Sequence, residues 1–447
     1  MRKSIWIVLL VAVLLFPACV GKTSETAAEE TGVVTLRISH NMDFITIPEA
    51  FVDAAARLNE RYAQEGRDLR IEFEKDYQTI DWVEYQNSIT FAHQINDAPD
   101  IYAIMDPSSL VKAGALLEIT DVITENQDKF VDGVFNGATE NGKIYAFAPD
   151  LPIRVVYYNT DVLRKLGWTE DEISALPEMI SSGEFTFEQF MALCEEAVEK
   201  GASKWGMAHR PGTGDDFLDI LKVLGGEYYN ENNQLVIDTE GLLRFFEFFY
   251  RNANITKITP TNLNQMGWSN INKMVATGEA FAYYGPVYSA TYVFGSIGST
   301  AEEFVKTEDF AMFPVSQWTE KPFVTAAPQY VGISSQTKHP EICKDLIREL
   351  ANGSNDLLAR HAAKINSLSS VKAANNNPTV LDNPIIRDVT YMADYAVTNP
   401  IVKGKDAFLV ELSRQIVALE LDQTTPEKAV EAMKTQISLS IKDVIVK

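Results

Sequence analysis

Strand and helix periods take turns from residue 33 to residue 115, and this alternation limits the fold more than any other feature of the chain. Residues 33–39 place Val34, Leu36 and Ile38 on one face, and residues 48–64 then carry Phe51, Ala54, Ala55, Leu58 and Tyr62 at helical spacing. A second strand pattern at 69–73 leads to a helical stretch at 80–95, and a third at 100–105 leads to another at 109–115. Such β-α-β-α-β-α order calls for a parallel sheet covered by helices. In sheets of this kind ligands sit beyond the carboxyl ends of the strands, which directs attention to residues 40–43, 74–77 and 105–108.

A second α/β unit begins after Pro149 and Pro152. Residues 154–158 and 280–284 read as strands, and 185–201, 216–224 and 240–251 as helices, the last with Leu242, Phe245, Phe246 and Phe249 on one face. Thr169 with Glu172 and Thr300 with Glu303 have the spacing of capping boxes.

Charge and motif content remove several function classes. Asp and Glu number 62 against 39 Lys and Arg, a net charge of −23, so there is no basic field to displace counterions from a nucleic acid. The five histidines, His40, His93, His209, His339 and His361, show no metal-ligand spacing, and no metal or cofactor is expected. No G-x-S-x-G, H-E-x-x-H, P-loop or strand-linked G-x-G-x-x-G occurs. Three cysteines allow no disulfide framework, and Cys194 and Cys343, both within helical patterns, read as two separate buried thiols.

The N-terminus reads as an export signal. Arg2 and Lys3 precede an apolar run at 5–16, too short to span a membrane, and the run closes in Phe16-Pro17-Ala18-Cys19 before a polar stretch. This resembles a bacterial lipoprotein signal, which implies removal of 1–18, lipidation of Cys19 and a flexible tether over 19–32 at the outer face of the cell membrane. Phe16 and Pro17 depart from the usual aliphatic and small residues at those places.

Further motifs carry a second resemblance. Ala98-Pro99-Asp100-Ile101 is followed by residues 113–120, then by Gly142-Lys143-Ile144-Tyr145-Ala146 and Val156-Tyr157-Tyr158-Asn159. Gly225-Gly226, the stretch 274–288, Gly332-Ile333-Ser334-Ser335 and Thr425-Pro426-Glu427 come after them. In this order they resemble the bacterial extracellular solute-binding proteins of the sugar-importer group. The resemblance implies a periplasmic-binding-protein-like α/β fold of two lobes, 33–148 plus 288–322 and 152–284 plus 326–447. The chain would cross between them near 148–153, 285–287 and 321–328. It also implies a monomeric receptor that collects a carbohydrate outside the cell and delivers it to an ABC permease, with no catalytic residues of its own.

Sugars present hydroxyl arrays and apolar faces, so their receptors need carboxylates, amides, arginines and stacked rings. Asp43 and Asp106, just past strand patterns, are candidates for hydroxyls, with turn or cap as their alternative role. Tyr157 and Tyr158 alternate across a strand, so at most one of them, taken as Tyr158, faces a ligand. Trp268 lies in a loop before a helix and is the candidate stacking ring. Tyr284 or Tyr288 would replace the tryptophan that the family carries after Gly-Pro. His209 and Arg210 belong to a loop at a helix N-terminus, and Tyr330 completes the set. Residues 408–410 lack the aromatic pair of maltodextrin-binding relatives, so a mono-, di- or short oligosaccharide is expected. A peptide or polyamine receptor, or a surface glycoside hydrolase with two unassigned carboxylates, stays open.

Overall fold

The computed structural model describes residues 30–41, 46–319, 321–352 and 356–447. Cys19 and Asp43 lie outside them. Among the described residues no helix is long and apolar enough to cross a membrane.

Two sheets define two lobes. The first runs Leu69–Gln78, Gly32–Asn41, Ile101–Ile104, Tyr330–Ile333, Ala146–Phe147. Its first three strands are parallel, as the alternation requires, with Gly32 opposite Leu69 and Ile38 opposite Ile101. The helix Thr46–Glu65 closes one face by burying Phe51, Ala54, Ala55, Leu58 and Tyr62, the same stripe the spacing singled out. The second sheet runs Glu308–Ala311, Arg154–Asn159, Ala280–Pro286, Trp205–Ala208.

The expected division of the chain is corrected at two places. Residues 288–322 are not part of the first lobe, because Glu308–Ala311 pairs antiparallel with Arg154–Asn159 in the second sheet. Nor does 326–447 belong wholly to the second lobe. Tyr330–Ile333 pairs antiparallel with Ile101–Ile104 in the first sheet, and the helix Pro340–Ala351 joins that lobe through Tyr62 Oη to Asp345 at 3.2 Å and Arg61 to Glu349 at 2.9 Å. The physical reason is burial: Ile101–Ile104 and Tyr330–Ile333 are buried at every position, and a strand with both faces covered needs ladder partners on both edges. Residues 285–287 are likewise not a crossing. They end a strand of the second sheet and lead to the helix Ala290–Gly295.

The crossings that exist lie side by side. Residues 148–153 leave the first sheet for the second, and 324–329 return. Ile153 bridges Ala326, Ala327 N donates to Pro152 O at 3.3 Å, and Gln329 N donates to the buried Asp150 carboxylate at 3.1 Å. Leu368–Ser369 pairs with Asp150–Leu151, and Ala396–Thr398 with Val324–Ala326, so the last passage of the chain borders both. Cys194 and Cys343 are free, buried, and in different lobes.

Candidate functional site

The gap between the lobes is lined by residues that end or begin elements of both sheets. Asp106, one turn of chain beyond Ile101–Ile104, lies where the strand-end rule placed it, and its Oδ1 also accepts from Ser108 N at 2.8 Å. The turn role is thus observed, in a carboxylate that also lines the gap. Tyr330, at the start of its strand, lines the same gap, and its hydroxyl donates to Val134 O at 3.3 Å. Facing them from the second lobe are Asp215 and Lys405, 3.4 Å apart. Burial opposes the charge on Asp215, but Lys405 and Arg154 outweigh it and hold the carboxyl below its ordinary range.

Next to Asp215 a larger cavity of about 320 Å³ opens on the second lobe, lined by Arg154, Arg210, Asp216, Trp268, Asn272 and Tyr288 among others. That volume sits at the lower end of the roughly 300–1,000 Å³ of small-molecule sites. Its charged floor is built by the helix Asp216–Val223. Asp216, 3% exposed, accepts from Arg154 Nε on one oxygen and from Arg210 Nη1 at 2.7 Å on the other. Three residues on, Asp219 accepts from Thr325 Oγ1 at 2.5 Å and Tyr284 Oη at 3.0 Å, with Arg154 Nε 4.0 Å away. Burial pushes the Asp219 carboxyl up to about 7, against the pull of Arg154 and of the two hydroxyl donors.

Trp268 forms the wall. It is the first residue of the helix Trp268–Ala276, its residue surface 45% exposed, with the Arg210 guanidinium carbon 5.7 Å from the ring centroid. Arg210 reaches this place because residue 214 is glycine: a Cβ there would stand 1.8 Å from Arg210 Nη1. A half-exposed indole beside two guanidiniums offers an apolar platform and directional donors, which suits a ligand with one flat apolar face and oxygen substituents.

Of the nine candidates, the structure gathers Arg210, Trp268 and Tyr288 in this cavity and Asp106 and Tyr330 in the adjoining gap. Three others are corrected. Tyr158 is fully buried and donates to Asp309 Oδ2 at 2.9 Å, while Tyr157 turns the other way and donates to Pro286 O at 2.6 Å. Both faces of that strand are packed, so the alternation chose between two interiors. His209 is buried against Phe217 and Phe249, with Nε2 2.5 Å from Glu420 Oε1. Burial works against its charge, but Glu420 prevails and raises the imidazole above its ordinary value. Tyr284 is buried, packs on Phe313 and serves Asp219 rather than the cavity. The sequence reading missed Arg154, Asp216 and Lys405. The available signal was an arginine opening an otherwise apolar strand directly after Pro152, and two aspartates in a row at a helix start.

Over residues 47–352 the chain matches the sequence profile of the family described as bacterial extracellular solute-binding protein. A stretch of 311 residues is 22% identical to an arabinooligosaccharide-binding protein of Halalkalibacterium halodurans, covering 67% of this chain and 63% of that relative. A protein of the same description from Bacillus subtilis is 21% identical over 145 residues, 32% of this chain and 31% of that one. The matched stretches therefore span less than two thirds of these relatives. Among solved structures, maltose-bound MalE3 of T. maritima superposes with a TM-score of 0.68 at 18% identity, over 92% of this chain and all of that one. The sugar-binding protein MalE from Xanthomonas citri gives 0.73 at 13% identity, over 91% and 97%. At such identities the structural likeness establishes the two-lobed fold, and the profile match, which covers more than half of the chain, establishes the lineage: this chain belongs to the bacterial extracellular solute-binding proteins.

Proposed function

We propose that the chain is a carbohydrate receptor, held outside the cytoplasm by a lipid on Cys19, that closes its lobes on a short saccharide and presents it to an ABC permease. The observation that carries this reading is the cavity in which Trp268 stands beside Arg210, Asp216 and Tyr288, adjoining the gap between the lobes. Rings and directional polar groups in one wall match the two kinds of surface a sugar presents. The names of the relatives, one for arabinooligosaccharides and one structure holding maltose, support carbohydrate as the ligand class.

The residues divide the work by lobe. Trp268, Tyr288 and Arg210 hold the solute on the second lobe, and Asp106 and Tyr330 approach from the first, so contacts to both are complete only when the gap is shut. A ligand that touches both lobes favours the closed state by its differential affinity. Phe408 and Leu409 are buried and only Val410 is exposed, so this part of the chain supplies no ring for a long maltodextrin. No reaction is assigned to the site; the receptor acts by binding, and release is driven by the permease.

Thermal unfolding of residues 22–447 against mono-, di- and oligosaccharides, with amino acids, peptides and polyamines as controls, tests the reading. A saccharide at 100 times its Kd is expected to stabilise the protein by about 2.7 kcal/mol. A panel silent for every saccharide but responsive to a control would discard carbohydrate as the ligand class.

A further inference from the structure

The helix Asp216–Val223 has a cavity at each end. Asp216 floors the Trp268 cavity at one end, and roughly 10 Å along the axis Lys222, Gly225 and Gly226 border a wider cavity of about 1060 Å³ that the receptor reading does not use. Phe323, Tyr395, Ala396 and Val397, beside the crossings between the lobes, line it as well.

Its platform is Trp318, 43% exposed and fixed from behind. Arg244 donates from Nε to Leu224 O at 2.7 Å and from Nη2 to Gly225 O at 3.0 Å, at the helix end whose polarity favours a cation. The guanidinium carbon so placed lies 5.3 Å from the Trp318 ring centroid. Gly225, with φ of 73°, lets the tryptophan approach: a Cβ there would stand 2.7 Å from Trp318 Cβ. Trp318 N donates to Ser316 Oγ at 3.1 Å, and that hydroxyl donates to Val223 O, so the turn carrying the indole is tied to the same helix end. A ring already ordered by its own lobe loses little freedom when a flat ligand face covers it.

The arrangement repeats that of Trp268, an indole 45% exposed with a guanidinium carbon 5.7 Å from its centroid and a tyrosine and a carboxylate in the same lining. Here Tyr395, 37% exposed, and Asp394 take those last two parts. Charge narrows the class of solute. Lys222 and Lys321 balance Glu227 and Asp394 across the lining, which places no premium on a net-charged ligand. Glu227 is engaged by Lys447 at 2.6 Å, whereas Lys222 and Asp394 have no hydrogen-bond or ion-pair partner among the described residues, which leaves a donor and an acceptor for hydroxyl groups.

We propose that this cavity is a second saccharide site, in which a neutral sugar lies on Trp318 with its hydroxyls toward Lys222 and Asp394. The site is separate from the cavity on which the receptor reading rests and takes from that reading only the class of ligand.

Calorimetric titration of maltose, arabinobiose and xylobiose, with leucine and dialanine as controls, into the wild-type protein, Trp268→Ala, Trp318→Ala and Trp318→Phe provides the test, with each variant checked by its melting curve. At least one disaccharide is expected to bind the wild-type protein in two events per chain, the second of which survives in Trp268→Ala. Trp318→Ala is expected to weaken that second event at least about tenfold and to leave the first within about twofold, while Trp318→Phe, which keeps a ring, stays within about fourfold of the wild type. Tyr395→Ala, on a different element, is expected to weaken the same event and decides the case if Trp318→Ala fails to fold. A single event per chain that Trp318→Ala does not alter, or a second event indifferent to it, overturns the proposal and leaves the receptor reading intact. So does a control solute bound at Trp318 where no saccharide is. Binding of no disaccharide to any of the proteins overturns both.

Discussion

At the scale of single residues the molecule separates side chains that line the cavities from those that hold them in place. Arg210 is placed by Gly214 and Asp216, and Asp219 is placed by Tyr284 and Thr325. His209, by contrast, belongs to the interior, where its pairing with Glu420 makes stability depend on pH. Its folded-state pKa is raised above the unfolded value, so the contribution is fully present below about pH 6.5 and is lost as pH rises through the higher folded value. Glu420→Gln is therefore expected to cost about 3 kcal/mol at pH 6 and clearly less at pH 8.5, measured by urea unfolding at both. An equal loss at the two values would show that the pair does not titrate as described. Residue roles were the least legible part of the sequence. Period-2 alternation separates Tyr157 from Tyr158 but cannot tell a strand with one open face from one packed on both. Helix-start residues such as Asp216 look the same whether they cap, pair or bind.

At the scale of elements, local chemistry and structure agree closely. The helix Glu170–Ser182 starts with the reciprocal capping box read from Thr169 and Glu172, and ends at Gly183 in the left-handed conformation with φ of 80°. Thr300 forms only the half in which its hydroxyl accepts from Glu303 N, and an unread box, Thr186 with Gln189, opens Phe187–Glu199. Thr169→Ala is expected to lower stability by about 1 kcal/mol in denaturant unfolding while leaving saccharide affinity unchanged, because Thr169 lines none of the three cavities. A change in affinity without a change in stability would contradict this separation. Helices were legible because caps and apolar stripes are local signals. The assignment of Tyr330–Ile333 and Glu308–Ala311 to their sheets was not, since both are short buried strands whose partners lie about 150 to more than 200 residues away in sequence.

At the scale of the whole molecule, two sheets joined by adjacent crossings place Asp106 and Tyr330 opposite Asp215 and Lys405, with the Trp268 cavity beside them. Motif order made the two-lobed plan legible, while the interleaving of the lobes required the strand pairing itself. A receptor of this plan is expected to become more compact when it binds, and small-angle X-ray scattering should record a fall in the radius of gyration on the order of 1 Å at saturating saccharide. An unchanged radius with ligand bound would argue for a rigid gap. The most direct test of the central claim is calorimetric titration of the tightest-binding saccharide into the wild-type protein and Trp268→Ala. The indole is half exposed, so its removal should leave the fold intact while weakening binding at least about tenfold through loss of the stacked ring. Equal affinity in the two proteins would contradict the account by showing that the solute binds elsewhere.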